Sequence, residues 1–244
     1  MLSIAVFWGC MALATWVYVL YPGLVIWLAR HRHGTNRFEG EAGLMGLTVV
    51  IAAHNEQGRI AERVRDVLAQ DYPADRLQVV VVSDGSTDHT ADAAAIGDPR
   101  VTVLRNAQNE GKAVALNLAM DVVGTPLVAF TDARQRFAPG ALRALASAFA
   151  DPEVGAASGE LVFLENNTGP QSHAGNIGLY WKIELALRTA EARLGWLHGV
   201  SGAIHAMRRE LYRPLPAGTL LDDVAIPFNV LRAGYRVDRV PGAG

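Results

Sequence analysis

Apolar residues follow two different rhythms along this chain. From Leu2 to Ala29 they run without a charged side chain, whereas from Leu47 onward they come in short bursts between polar stretches. About 20 apolar residues at 1.5 Å each cross a bilayer core, so the first run is long enough to span one with some tilt. Pro22-Gly23 near its end predicts a kink, which a membrane helix tolerates. Trp8, Trp16, Tyr18, Tyr21 and Trp27 supply rings suited to the interfaces. Arg30, His31, Arg32, His33 and Arg37 follow directly. Basic charge on this side, and none on the short N-terminal side, predicts a single membrane helix over residues 1–30 with the remainder cytoplasmic. A cleaved signal peptide carries its basic residues before the apolar core, the reverse of this order.

Residues 31–46, polar and glycine-rich from Gly34 to Gly46, read as a linker. Strand and helix patterns then alternate over residues 47–244. Leu47–Ala53 is continuously apolar and predicts a buried strand. Ile60, Val64, Val67 and Leu68 mark one face of a helix. Gln78–Ser83, Val101–Arg105 and Pro126–Thr131 are further strands. Helices are expected from Thr87 to Ile96 with Ser86 as N-cap, from Lys112 to Asp121, and from Pro139 to Phe149. Beyond them come a strand over Val154–Leu164, a long helix over His173–Leu194 and a helix over Asp223–Ala233. Alternation with continuously apolar strands predicts an α/β domain with a mostly parallel sheet covered on both faces.

The formal net charge of −2 over 244 residues excludes a polybasic nucleic-acid binder. Cys10 is the only cysteine, so no intramolecular disulfide forms.

The chemistry-bearing residues gather where such a sheet binds ligands, outside the carboxyl ends of its strands. His54-Asn55-Glu56 follows the first strand, Asp84-Gly85-Ser86-Thr87-Asp88 the second, and Asp132 the fourth. Each cluster alone also suits a turn, because Asp, Asn, Gly and Ser are turn residues. Taken together and in this order they point to a nucleotide site.

The ordered set resembles the successive signatures of family 2 glycosyltransferases with a GT-A fold: Ala53-His54-Asn55-Glu56, Val82-Ser83-Asp84-Gly85-Ser86-Thr87-Asp88, Asn109-Glu110-Gly111-Lys112-Ala113 and Thr131-Asp132-Ala133. The resemblance covers roughly residues 47–240. It implies an inverting transfer from a nucleoside-diphosphate sugar, with UDP expected over GDP, to a hydroxyl of a glycan or lipid-linked acceptor. Such work belongs to polysaccharide or glycolipid synthesis at a membrane. It places Glu56 and Asp84 against the uracil and ribose, Lys112 near the nucleotide, and Ala53 and Asn55 among the nucleotide-sugar-binding residues.

The family usually carries Asp-x-Asp at the fourth strand's end, holding a divalent cation (Mg2+ or Mn2+). This chain has Asp132-Ala133-Arg134-Gln135, so arginine stands where the second acid belongs. Two arrangements are open. Asp132 retains the metal with help from diphosphate oxygens, or Arg134 itself neutralises the leaving diphosphate. Leu221-Asp222-Asp223 resembles the family's acid pair and assigns Asp223 as catalytic base, with Asp222 as orienter or ligand. Either acid also suits the N-terminus of the following helix. Gly199-Val200-Ser201-Gly202-Ala203 resembles the acceptor-side loop, followed by a strand ending in Arg208-Arg209; Ser201 and Gly202 leave room for a sugar ring or mark a tight turn.

The chain ends without the family's Gln-x-x-Arg-Trp segment, so it is expected to be a fragment. The rival readings are a nucleotidyltransferase, a dinucleotide enzyme and a catalytically inactive, membrane-tethered nucleotide-binding module. No glycine-rich phosphate loop follows the first strand, which counts against the first two. Arg134 keeps the third open.

Overall fold

The chain forms, in order, α1 (Leu2–Thr15), α2 (Tyr21–Ala29), β1 (Leu47–Ala53), α3 (Ile60–Leu68), β2 (Leu77–Asp84), α4 (Thr90–Ala94), β3 (Val101–Asn106), α5 (Lys112–Val122), β4 (Leu127–Asp132), α6 (Ala141–Ser147), β5 (Val154–Ser158), α7 (Ala174–Leu194), β6 (Ile204–Arg208), α8 (Asp222–Arg232) and β7 (Arg236–Arg239). The structure is a computed structural model that describes residues 2–31, 43–159, 174–241 and 243. Most of the expected linker, the expected extension of β5 to Leu164 and the start of the long helix at His173 lie outside the described residues.

The chain divides into two compact units, Met1–Gly34 with Leu164–Leu197, and Thr35–Phe163 with His198–Gly244. In the first, Ser3–Ala29 is 27 residues long with a mean hydropathy of 1.8, long and apolar enough to cross a membrane. Trp16–Leu20 winds as a π-turn just before Pro22. Proline has no N–H to give the carbonyl four residues back, and a wider turn absorbs that mismatch. Val25 and Ala29 pack with Ala190 of α7, flanked by Leu187 and Leu194, and the Tyr21 hydroxyl donates to Glu191 Oε1 at 2.8 Å. This apolar stripe groups α7 with the N-terminal helix, whereas the sequence pattern assigned it to the 47–244 domain.

The second unit holds a seven-stranded sheet of order β3-β2-β1-β4-β6-β5-β7. Strands β1 to β4 are parallel to one another, and β6 runs antiparallel to both β4 and β5. Val49, Ile51, Val79, Val81, Leu127 and Ala129 are fully buried, as continuous apolar strands covered on both faces require. Ile60, Val64 and Val67 of α3 join the same core, with Leu68 packed at its edge.

Three boundaries differ from the sequence pattern for local reasons. Helix α4 starts at Thr90 rather than Thr87, because Asp88 Oδ1, and not Ser86, accepts the Thr90 N–H at 3.0 Å. Helix α6 starts after Pro139, since Gly140 takes a left-handed φ of 78°. Strand β7 escapes the pattern because Arg-Val-Asp-Arg reads as polar, although Asp238 and Arg239 are buried.

Gly155 lies in β5 under α8. A Cβ there would stand 2.6 Å from Tyr235 Cβ and Val230 Cγ1 and 2.8 Å from Leu211 Cδ1. Overpacking of this kind costs about 1–3 kcal/mol. Gly155→Ala is therefore expected to lower the stability of this unit by that amount, read from the urea midpoint of unfolding.

Candidate active site

The chain runs outward from β1 through β2 to β3 and then returns to β4 on the other side of β1. That reversal opens a crevice outside the carboxyl ends of β1 and β4, the place where open α/β sheets bind ligands. Ala52 of β1 lies in register with Asp132 of β4, and Ala53 is buried beneath the crevice floor.

The two loops after β1 and β2 are zipped together by their own polar atoms. Asn55, with a left-handed φ of 55°, accepts the Thr87 N–H on Oδ1 at 2.8 Å and donates its backbone N–H to Ser86 Oγ at 3.2 Å. The Gln57 side chain accepts the His89 N–H at 2.9 Å, and the Glu56 N–H reaches Thr90 Oγ1 at 2.8 Å. Gly85, with a left-handed φ of 58°, lets the loop after β2 lie against the loop after β3, since a Cβ there would overlap the backbone of Gln108 and Asn109.

Asp84 is buried, and its carboxylate accepts from Asn106 Nδ2 at 3.0 Å, Glu110 N–H at 3.1 Å and Gly111 N–H at 2.8 Å. It thus anchors the 106–111 loop that ends on Lys112, whereas the sequence assigned it to the nucleoside. Glu56 is also buried. It pairs with Arg134 Nε at 2.7 Å and with Arg59 Nη1 at 3.4 Å. Arg134, largely exposed, therefore leans toward the first loop.

Lys112 opens α5 and brings the remaining acids together. Its Nζ lies 2.9 Å from Asp222 Oδ2 and 3.5 Å from Asp132 Oδ1. Burial draws the lysine pKa down, but the pairing with Asp222 and then Asp132 outweighs it, and the pKa stands above the ordinary value. Asp222 is buried at the first position of α8; Asp223 beside it is half-buried and has no ion pair among the described residues.

Pro227 sits inside α8 and has no N–H for the carbonyl of Asp223. That carbonyl instead accepts the Val200 N–H at 3.0 Å, which docks the 199–203 turn against the acid pair. A Cβ on Gly202 would lie 3.8 Å from Asp223 Oδ2, so larger side chains there would crowd the carboxylate. The turn is held further by Ser201 N–H on Ser158 Oγ at 2.8 Å, by His205 Nδ1–H on the Ser201 carbonyl at 3.1 Å and by Thr131 Oγ1 on the Ala203 carbonyl at 2.7 Å. Behind Thr131 stands Arg63, buried, donating from Nη2 at 2.8 Å and lying 3.8 Å over the Phe137 ring.

The Lys112 ammonium is a stand-in cation between two carboxylates, so oxygen donors suited to Mg2+ or Mn2+ are in place. Among the described residues no group of three or more metal-ligating side chains occurs. Asp132 and Asp222 would supply only part of a bound cation's shell, and diphosphate oxygens would have to complete it.

The sequence pattern described as glycosyl transferase family 2 matches residues 48–215, which include every crevice residue named above except those of α8. The chain belongs to that family. An N-acetylglucosaminyltransferase of Rhizobium meliloti (strain 1021) is 29% identical over 218 residues, 82% of this chain and 50% of the relative. The succinoglycan biosynthesis protein ExoU of the same organism is 38% identical over 102 residues, 41% of this chain and 29% of that one. Among solved structures, the mannosyltransferase PcManGT from Pyrobaculum calidifontis, in complex with GDP-Man and Mn2+, superposes with a TM-score of 0.78 at 27% identity, covering 96% of this chain and 66% of that one. The S. aureus TarS 1–349 complex with UDP-GlcNAc shares the fold, with a TM-score of 0.57 at 19% identity over 80% of this chain and 56% of that one. The chain spans about half the length of the N-acetylglucosaminyltransferases it matches.

Within this family 2 site, Lys112, Asp132, Asp222, Asp223, Ser201 and Gly202 converge. Asn55 and Asp84 brace loops, and Glu56 and Arg134 pair with each other. Sequence reasoning missed Arg63, Thr131, Asn106 and Pro227 as supports. Arg63 was detectable as an arginine on the apolar face of α3, three residues from Ile60, and Pro227 as a proline inside a helical pattern.

His205 is fully buried, and burial pushes its pKa down to about 4, with Asp222 raising it and Lys112 lowering it to smaller extents. Between that value and the ordinary 6.5 the unfolded chain takes up a proton that the folded one refuses. Stability from this residue is therefore lost as pH falls through that window, by up to about 1.4 kcal/mol per pH unit. The stability difference between wild type and His205→Phe, measured by urea unfolding, is expected to shrink between about pH 7 and about pH 5.

Proposed function

We propose that this family 2 chain is an inverting glycosyltransferase that moves a sugar from a nucleoside-diphosphate donor to an acceptor hydroxyl. The observation that carries the reading is Asp223, a carboxylate without an ion pair among the described residues. It faces the small-residue turn at Gly202, beside the Lys112–Asp132–Asp222 cluster.

In this reading the donor's diphosphate lies over Lys112 and Asp132, and the acceptor enters past Ser201 and Gly202. The acceptor oxygen forms a bond to the anomeric carbon as the bond from that carbon to the diphosphate oxygen breaks on the opposite face. Asp223 takes the hydroxyl proton, which suits a carboxylate within reach of the attacking oxygen. The Lys112 ammonium faces the charge that develops on the departing diphosphate. A divalent cation, when bound, would add Lewis-acid neutralisation of the same diphosphate, with Asp132 as its protein ligand. The Mn2+ in the PcManGT complex supports the use of such a cation.

A UDP-linked donor is favoured by the relatives named N-acetylglucosaminyltransferase. The similarity to a succinoglycan biosynthesis protein favours work in polysaccharide or glycolipid synthesis, with a glycan or lipid-linked acceptor. The apolar N-terminal helix and the basic residues from Arg30 to Arg37 favour a membrane anchor with the catalytic unit on the cytoplasmic side.

Arg134 in place of the expected acid supports a second reading, a tethered nucleotide-binding module without turnover. The two separate in a transfer assay on the detergent-purified chain with labelled UDP-GlcNAc and a mixed acceptor pool. Asp223→Asn is expected to lower transfer by about 100-fold or more while UDP affinity stays within about twofold (under about 0.5 kcal/mol). Equal loss of UDP binding would make Asp223 structural. Absence of wild-type turnover with UDP binding intact would favour the module.

A further inference from the structure

Resting on the donor-site reading above, the geometry around α5 and α8 bears on how that site handles its cation. One ammonium serves two carboxylates here, at 2.9 Å from Asp222 and 3.5 Å from Asp132. Asp222 is 7% exposed at its side chain, and a carboxylate so placed cannot lose its counter-charge without a penalty of several kcal/mol. Arg134 is engaged elsewhere, on Glu56. Lys112 is thus the cation that keeps Asp222 and Asp132 at the crevice.

We propose that Lys112 is the resident cation of this site, and that Asp132 and Asp222 take up a divalent metal only when a nucleoside diphosphate draws the ammonium off them. The reasons are those of charge and coordination number. A free divalent ion finds two carboxylates already neutralised in part by a tethered ammonium, and too few oxygens for a hard cation's shell of six or more. A diphosphate alone meets an acidic crevice. Arriving together they remedy both defects: phosphate oxygens complete the metal's shell, and the ammonium moves from carboxylate to phosphate. Lys112 faces both partners from the first turn of α5, with its side chain 34% exposed, so the shift needs a change of side-chain rotamer and no unfolding of the helix. Metal and nucleotide are then coupled, each raising the other's affinity by the same factor. Asp222 becomes a metal ligand alongside Asp132, and Asp223 is left to the acceptor.

Removing the lysine should therefore strengthen metal binding by the nucleotide-free protein. The test uses the full chain in detergent, with Mn2+ titrated and followed by electron paramagnetic resonance, corrected for the complex of Mn2+ with UDP in solution. Wild type is expected to bind Mn2+ at least about tenfold more tightly with UDP present than without (about 1.4 kcal/mol). Lys112→Met, or Lys112→Gln where the methionine variant does not fold, is expected to bind Mn2+ without nucleotide at least about tenfold more tightly than wild type. Adding Asp222→Asn to that variant should abolish the gain. The proposal is overturned if the lysine variants bind Mn2+ no more tightly than wild type, if the gain survives Asp222→Asn, or if wild-type affinity is the same with and without UDP. Failure of UDP and GDP to bind under every condition would instead sink the donor-site reading, and the nucleotide-free comparison of wild type with Lys112→Met would still decide the lysine's part.

Discussion

A carboxylate withdrawn from water has to be given partners, and that constraint organises the working edge of this protein. Three acids are buried there, Glu56, Asp84 and Asp222, and each meets its positive or N–H partners differently. Asp84 takes two backbone N–H groups and an amide, which fixes the loop leading into α5. Glu56 takes two guanidinium groups, one of them from the segment after β4. Asp222 takes the ammonium that α5 presents. The three are linked: the bonds to Asp84 help fix the 106–111 loop, and that loop delivers Lys112 to Asp222. Buried polar groups of this kind specify position more than they add stability.

The sheet itself was legible because continuous apolar runs have few ways to be buried. Leu47–Ala53 had the same bounds in the sequence pattern and in the structure, since every one of its side chains is covered or nearly so. What escaped was local or long-range in a way that periodicity does not encode. The late start of α4 depends on Asp88 outcompeting Ser86 for one N–H. The grouping of α7 with the N-terminal helix depends on a stripe of small and apolar residues meeting a partner far away in sequence. The crevice was legible as residues at strand ends, and the family resemblance put them in order. The loop bonds that Asn55 and Asp84 make were not legible, because these residue types are equally at home bracing a turn or meeting a ligand.

The loss of the second acid after β4 changes more than one ligand. At the expected place of a carboxylate stands Arg134, and its nearest anionic partner is Glu56 rather than Asp132. An arginine left beside Asp132 would have competed directly for any cation there. Drawn to Glu56, it leaves Asp132 to Lys112 and joins the first loop to the segment after β4. The departure from the family pattern is thus absorbed by the Glu56–Arg134 ion pair, and the two acids that flank Lys112 come from β4 and α8.

Pro227 completes the logic beside the 199–203 turn. A proline inside a helix ordinarily costs about 3 kcal/mol, mostly through a missing hydrogen bond and a clash with the preceding turn. Here the orphaned carbonyl belongs to Asp223, and the Val200 N–H claims it at 3.0 Å. A defect in α8 therefore becomes the attachment point of the 199–203 turn, and the residue whose backbone makes that attachment is the one whose carboxylate faces Gly202. Backbone and side chain of one residue thus fix the turn and address its contents together. The bond from Val200 ties the turn to the helix that carries the carboxylate, and the bonds with Ser158, His205 and Thr131 hold the turn against the sheet.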